Sequence, residues 1–392
     1  MMFEGVPEGL LIQKDEAISW RHDFHMHPEV AFQEFRTSSK IAELLRSWRL
    51  SVTEGIAQTG VVGTLSSGDG PAIALRSDID ALPMSEDNSF AHRSRNPNVM
   101  HACGHDGHAA MLLAAARFLS QTKRFQGTVH FIFQPAEENE AGAKAMIDDG
   151  LFARFDAKAI FGLHNWPGLD VGSMEVCSGP IMAAFDIFNI DINCQGIHAA
   201  MPHLGQDAPL TASQLISALQ AVVARRVDPI SPAVVSVTQM RGGDTYNTLP
   251  STFRISGCTR HFDSQTQDTI EAEIKRLSEG LALSNDVEID LDYQRRYPAT
   301  INTSIETDIA SAAASEVVGK HQFSRSAKPS LSSEDFAFML KERPGCYIRL
   351  GNGSVENGNT LHSPTYDFCD DALVIGAAYW AKLAETALGA MR

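Results

Sequence analysis

The sequence predicts an α/β protein built on a mostly parallel sheet, with a smaller α+β domain inserted into it. Three observations carry this expectation. Short, nearly continuous apolar runs alternate with helical patterns between residues 61 and 163, as expected of strands buried on both faces and joined by crossover helices. Polar clusters such as Arg76-Ser77-Asp78-Ile79-Asp80 and Gln134-Pro135-Ala136-Glu137-Glu138 follow directly on those runs, at the strand ends where open α/β sheets bind ligands. Near Ala183 the pattern becomes strict alternation, with Phe188, Ile190 and Ile192 separated by Asn189 and Asp191, the mark of strands wet on one face.

In chain order, helices are expected over 14–24 and 37–48, the second capped by Thr37 or Ser38 and carrying Ile41, Leu44, Leu45 and Trp48 at helical spacing. Between them His25 and His27 lie in a turn stopped by Pro28 and read as hydrogen-bonded structural residues. Strands are expected over 61–65, 72–75, 128–133 and 159–163, and helices over 109–119 and 141–148. The next segment reads as a strand over 185–194, a helix over 206–226, strands over 234–240 and 253–261, a helix over 265–283 and a strand over 287–293. That β-α-β-β-α-β order is the split pattern of a ferredoxin-like sandwich. The expected division is 1–183 with 295–392 for the main domain and 184–294 for the insertion, with hinges near 183–184 and 295–302. Helices over 305–318, 333–341 and 371–389 complete the chain.

A length of 392 residues favours two domains. The formal charge of −16 argues against nucleic acid or an anionic membrane as partner. No apolar run reaches the about 18 residues of a membrane span, and the amino terminus lacks the pattern of a signal peptide. Six scattered cysteines without a CxxC pair fit free thiols in a reducing compartment, so the expected location is cytoplasmic.

The chemically densest stretch is Met100-His-Ala-Cys103-Gly-His105-Asp-Gly-His108. Cys103 and His105 can face one cavity, and a thiolate beside an imidazole suits Zn²⁺, Mn²⁺, Co²⁺ or Ni²⁺ better than Mg²⁺ or Ca²⁺. A merely His-rich surface loop would also fit. Glu137-Glu138 reads either as a metal ligand with a neighbouring base or as a solvated helix start. His164 ends a buried strand as a core residue or a ligand, and His362 follows a Gly- and Asn-rich loop.

These segments resemble, in order along nearly the whole chain, the M20 metallopeptidase and amidohydrolase family in its aminoacylase-like branch of hippurate hydrolases, N-acyl-amino-acid deacetylases and auxin-conjugate hydrolases. Further matches are Gly162-Leu-His164, Gly196-Ile-His198-Ala-Ala-Met-Pro-His203, Asn247-Thr-Leu-Pro250, Ser333-Glu-Asp-Phe336 and Leu361-His362-Ser. The resemblance implies two divalent metal ions per subunit on Cys103, His105, Glu138, His164 and His362, with Cys103 bridging. It makes Glu137 the general base and then the acid, working on metal-activated water. It implies that His198, from an inserted lid and dimerisation domain, steadies the developing oxyanion, reaching across a homodimer, while Asn247 and Arg260 hold the substrate. Asp78 is implied to orient a ligand or loop, because Arg76-Ser77-Asp78 stands where the wider family has a His-x-Asp pair. Ile197 replaces the glycine usual before the lid histidine. His101, Asp106 and His108 remain as supporting or helix-start residues. The expected function is hydrolysis of a small N-acyl amino acid to a carboxylate and a free amino acid. A dipeptidase or carboxypeptidase of the same mechanism is the alternative, followed by a catalytically dead metal-binding protein.

Overall fold

Ala72–Asp78 hydrogen-bonds in parallel to Gly127–Gln134 on one side and to Ala159–Trp166 on the other. This is the centre of an eight-stranded sheet in a computed structural model that describes residues 5–138 and 140–391. The sheet runs Ser51–Ile56, Gly60–Ser67, Gly127–Gln134, Ala72–Asp78, Ala159–Trp166, Gly345–Gly351, Met174–Glu175, Phe323–Ser324. Four pairings are parallel and three, toward the two edges, are antiparallel. The helices His105–Thr122, Asp370–Ala390, Lys14–Met26 and Ser304–Val318 contribute to the main core. Asp370–Ala390 is apolar almost all round, from Ala372 to Leu388, the signature of a helix enclosed in the interior.

Several elements differ from the sequence reading, among them the Phe35–Ser47 helix, which begins after Glu34 so that Thr37 and Ser38 lie inside it rather than capping it. The helix expected from residue 109 begins at His105, because Gly104 takes the left-handed conformation (φ +92°) and turns the chain directly into it. Gly345–Gly351 is a fully buried strand that was not anticipated. Arg349 interrupts its apolar run, and arginine usually marks a surface. Here the guanidinium lies over the Trp166 ring at 3.8 Å and donates to Glu175 Oε1 (3.0 Å) and to the carbonyls of Lys328 (2.9 Å) and Ile181 (3.2 Å).

Those two carbonyls have a topological meaning. The chain forms two units, and it leaves the first after Ile181 and again after Lys328. Unit 1 also holds Ile301–Lys328 and the chain from Asp335 onward, while unit 2 comprises Met182–Thr300 and Pro329–Glu334. The helix read over 333–341 starts instead at Phe336. Asp335 is taken up by a buried carboxylate role, accepting from Arg76 Nη2 (3.1 Å), Gln134 Nε2 (2.9 Å) and the Ala143 amide (2.8 Å).

Unit 2 is a four-stranded antiparallel sheet in the order Val234–Arg241, Thr252–His261, Ala184–Asn193, Glu288–Tyr297. Helices Ala208–Arg225 and Ser264–Asn285 pack on it around Phe188, Ile190, Ile192, Leu215, Leu219 and Ile274. Asp207 and Asp263 cap the two helices by accepting from Leu210 and Thr266 amides. This is the split βαβ arrangement expected from the alternation. Among the described residues, no helix is long and apolar enough to cross a membrane.

Candidate metal centre

The five candidate ligands come from four separated segments of unit 1. Cys103 and His105 stand on either side of Gly104. A side chain at Gly104 would put a Cβ 2.2 Å from Asn165 Nδ2 and 2.6 Å from the Tyr366 hydroxyl. The turn therefore needs glycine both for its φ and for its space. Asn165 holds it from outside, donating Nδ2–H to the Cys103 carbonyl (2.6 Å) and accepting from Tyr366 at Oδ1 (2.8 Å). His362 has a left-handed backbone (φ +61°), and its amide bonds the Ala102 carbonyl at 2.8 Å, so its loop is joined to the Cys103 loop.

Hydrogen bonding fixes which ring nitrogen each histidine can offer. His164 Nδ1 lies 2.6 Å from the Asn165 carbonyl, which only accepts, so Nδ1 carries the proton. Its Nε2 is left as a lone pair 3.4 Å from Cys103 Sγ. His105 Nδ1 faces the Asp80 carbonyl at 3.0 Å and Asp80 Oδ1 at 3.1 Å, leaving Nε2 as the lone pair there too. That Nε2 is buried, with no hydrogen-bond partner among the described residues and the Asp78 carboxylate 3.8 Å away. A buried orphan nitrogen is costly unless something electrophilic meets it, and a cation does.

Three donor groups overlap. Cys103, His105 and His164 converge, as do Cys103, Glu138 and His362, and as do His105, Glu137 and Glu138, with donor atoms in each group within 4.8 Å of one another. Cys103 is common to two groups and Glu138 to two, so the set fits a pair of ions sharing ligands. Its mixture of sulfur, imidazole and carboxylate fits Zn²⁺, Mn²⁺, Co²⁺ or Ni²⁺. The electrostatics agree. The Cys103 sulfur and the Glu138 carboxylate, its Oε1 3.1 Å from His362 Nε2, push the His362 pKa up to about 10 against the opposing effect of burial. A field that favours a proton so strongly favours a divalent cation in its place. Burial pushes the Cys103 thiol up, and the Glu138 carboxylate adds to the shift. A cation would release that proton.

Asp78 lies behind the ligands. Its Oδ2 accepts from Arg76 Nη1 at 2.8 Å and its Oδ1 meets His108 Nδ1 at 2.6 Å, while His108 Nε2 accepts from the Asn165 amide. With both oxygens occupied, Asp78 is placed to orient His108 and Asn165, and through them the Cys103 turn. Burial opposes its charge, but His105 and Arg76 hold its carboxyl well below the usual range. Asp80 connects two ligand segments, meeting His105 Nδ1 with one oxygen and accepting the Glu138 amide at 3.0 Å with the other. Asp80 stands inside a motif read from the sequence and Asn165 directly after one, but only their hydrogen bonds reveal these tasks. Asp106 pairs with His25 Nδ1 at 2.9 Å, a buried link to the Lys14–Met26 helix. His27 stays half-buried with Nδ1 on the Asp23 carbonyl.

Glu137 is 8% exposed, and its Oε1 accepts from the Asp335 amide at 3.4 Å. His198, Asn247 and Arg260 belong to unit 2. His198 is exposed and pairs with Thr248, while its Nδ1 accepts from the Ala200 amide at 3.1 Å, which leaves the proton on Nε2. Asn247 stands beside it, its carbonyl accepting from the Ala199 amide. Arg260 lies on a different strand, stacked 4.2 Å over Phe185 with Nη1 on Ser333 Oγ at 3.1 Å.

Residues 74–386 match the description Peptidase family M20/M25/M40. Over 380 residues the chain is 39% identical to a hippurate hydrolase of Campylobacter jejuni, covering 97% of this chain and 98% of that one. It is 35% identical to an N-acetyl-L-cysteine deacetylase of Bacillus subtilis, over 96% of this chain and 89% of that one. Among solved structures it is similar to the Bacillus subtilis YXEP protein, a dinuclear metal binding peptidase from the M20 family. The TM-score is 0.85 at 32% identity, covering 97% and 99% of the two chains.

Proposed function

Because the chain belongs to Peptidase family M20/M25/M40, we propose that it is a metal-dependent amidohydrolase that splits N-acyl amino acids into a carboxylate and a free amino acid. The observation that carries this reading is Glu137. It is a nearly buried carboxylate adjacent to Glu138 and grouped with it and His105, and a purely structural metal site has no use for an acid beside its ligand. Relatives named hippurate hydrolase and N-acetyl-L-cysteine deacetylase support the substrate class, and the dinuclear relative supports two divalent ions.

Cys103, His105 and His164 would hold one ion and Cys103, Glu138 and His362 the other, with Mn²⁺, Zn²⁺, Co²⁺ or Ni²⁺ as the candidates. Bound there, the ions supply Lewis acidity and lower the pKa of water from about 15.7 towards about 7. Glu137 takes the proton from the attacking water and delivers it to the leaving nitrogen as the amide bond breaks. His198, with its proton on Nε2, reaches across the homodimer and donates to the carbonyl oxygen as that oxygen gains charge, a contribution worth roughly 3–4 kcal/mol. Asn247 and Arg260 hold the substrate, Arg260 through its α-carboxylate. A homodimer formed through unit 2 and a cytoplasmic location belong to the same proposal. Its supports are the open edge strand Val234–Arg241 and the six free thiols.

The test is Glu137→Gln. The variant is expected to keep its fold and metal content and to lose about 1000-fold in kcat on N-acetyl- and N-benzoyl-amino acids. Turnover at the parental rate would refute the mechanism. Turnover of dipeptides with none of N-acyl amino acids would move the substrate to the peptidase side.

A further inference from the structure

Glu34 is a fully buried carboxylic acid that forms no ion pair among the described residues. Burial pushes its pKa up to about 7, against a hydrogen bond from Thr59 and with the nearby Asp80 charge adding to the rise. Such a group weakens the fold unless its acceptors are needed, and both are in use. Oε1 accepts the Ala136 amide at 2.9 Å and Oε2 accepts the Thr59 hydroxyl at 2.6 Å.

Ala136 is the residue that turns the chain from the Gly127–Gln134 strand to Glu137. It does so in the left-handed region, at φ +56° and fully buried. For a residue with a Cβ that conformation costs about 1–2 kcal/mol, so something must enforce it. Both peptide groups flanking Ala136 are held. Glu34 takes the N–H, and the Gly142 amide donates to the carbonyl at 2.9 Å. Gly142 can approach because it lacks a side chain, since a Cβ there would fall 1.8 Å from the Pro135 carbonyl oxygen. On the far side Thr59 is followed by Gly60, where a Cβ would sit 3.2 Å from the Pro135 ring. The start of the Phe35–Ser47 helix and the turn before Gly60–Ser67 thus close on the Gln134–Pro135 bend.

We infer that Glu34 is a positioning residue for the reaction, aiming the Glu137 carboxylate by clamping the Ala136 turn. This rests on Glu137 acting as the base. Glu34 holds the Ala136 turn and the Thr59 hydroxyl, whereas Glu138 has its own anchor through Asp80, so the rate should suffer while metal binding does not.

Glu34→Ala is expected to lower kcat about 100-fold, as a displacement of about 1 Å does, with KM, bound metal and apo-protein metal affinity within about threefold of the parent. Glu34→Gln keeps a carbonyl for the Ala136 amide and is expected within about threefold of parental kcat. A crystal structure of Glu34→Ala should show Ala136 out of the left-handed region. If Glu34→Ala fails to fold, Thr59→Val, which removes the hydroxyl orienting Oε2, should lower kcat about fivefold at unchanged KM. Parental kcat in Glu34→Ala, or in Thr59→Val where that variant decides, overturns the inference. So does a loss that follows metal content, or a Glu34→Gln variant as slow as the Ala variant. Because Glu137→Gln is assayed alongside, an active Glu137→Gln refutes the base itself, whereas an inactive one beside a fully active Glu34→Ala refutes only the positioning role.

Discussion

Buried carboxylates in unit 1 divide their work by which atoms each oxygen meets. Asp80 spans two ligand segments, Asp78 steers His108, and Asp335 gathers Arg76, Gln134 and Ala143. Removing one such partner leaves an uncompensated charge. Asp335→Ala would remove a buried carboxylate that faces Arg76, and should cost about 3–5 kcal/mol in urea unfolding. Gly104→Ala tests the ligand turn. The added Cβ meets Asn165 and Tyr366, so metal affinity measured by equilibrium dialysis should fall at least about tenfold. Residue types at this scale were legible in the sequence, because sulfur, imidazole and paired carboxylates within short motifs announce their chemistry. The hubs were not. The Ala136 amide lies 102 positions from Glu34, and Arg76 lies 259 from Asp335, and no local pattern marks such pairs.

At the scale of elements, periodicity carried most strands and helices. The alternation over 185–194 gave the Ala184–Asn193 strand, and the run over 128–133 gave Gly127–Gln134. It failed at Gly345–Gly351, where Arg349 is satisfied by two carbonyls and an indole ring that come from other elements. Unit 2 supplies a clean test of an element joint. Asp186, on Ala184–Asn193, accepts from His261 on the neighbouring strand, from Tyr293 on the strand on its other side and from Gln267 on the covering helix. Burial works against its charge, but those donors outweigh it and hold its carboxyl below the ordinary value, about 3.9. Its contribution is therefore present above that pH and is lost as pH falls through the depressed folded value. Thermal midpoints measured from pH 7 downward should drop in acid for the parent, and Asp186→Asn should flatten that part of the curve while lowering the midpoint at pH 7.

At the scale of the whole molecule, the candidate metal centre draws on Cys103, His105, Glu138, His164 and His362, which belong to unit 1 but lie on either side of the unit 2 segments in the chain. Ions bound there stabilise the folded state by linkage, by about 4 kcal/mol at a thousandfold excess over Kd. Chelation should lower the thermal midpoint by several degrees and abolish hydrolysis, with both restored by one of the four candidate ions. Full activity in metal-free protein would contradict the proposed chemistry. Unit 2 has its own core around Phe188, Ile190, Leu215 and Ile274, so a fragment of residues 182–300 should melt cooperatively on its own. By itself the sequence determined the α/β class, the inserted βαββαβ segment and the kinds of donor present, because hydrophobic period and motif composition are local properties of a chain. Only the tertiary structure decided which nitrogens are left as lone pairs, which oxygens are already occupied, and how a strained alanine is held so that Glu137 points one way. Those depend on partners brought together by packing, and their identity is written nowhere near the residues they control.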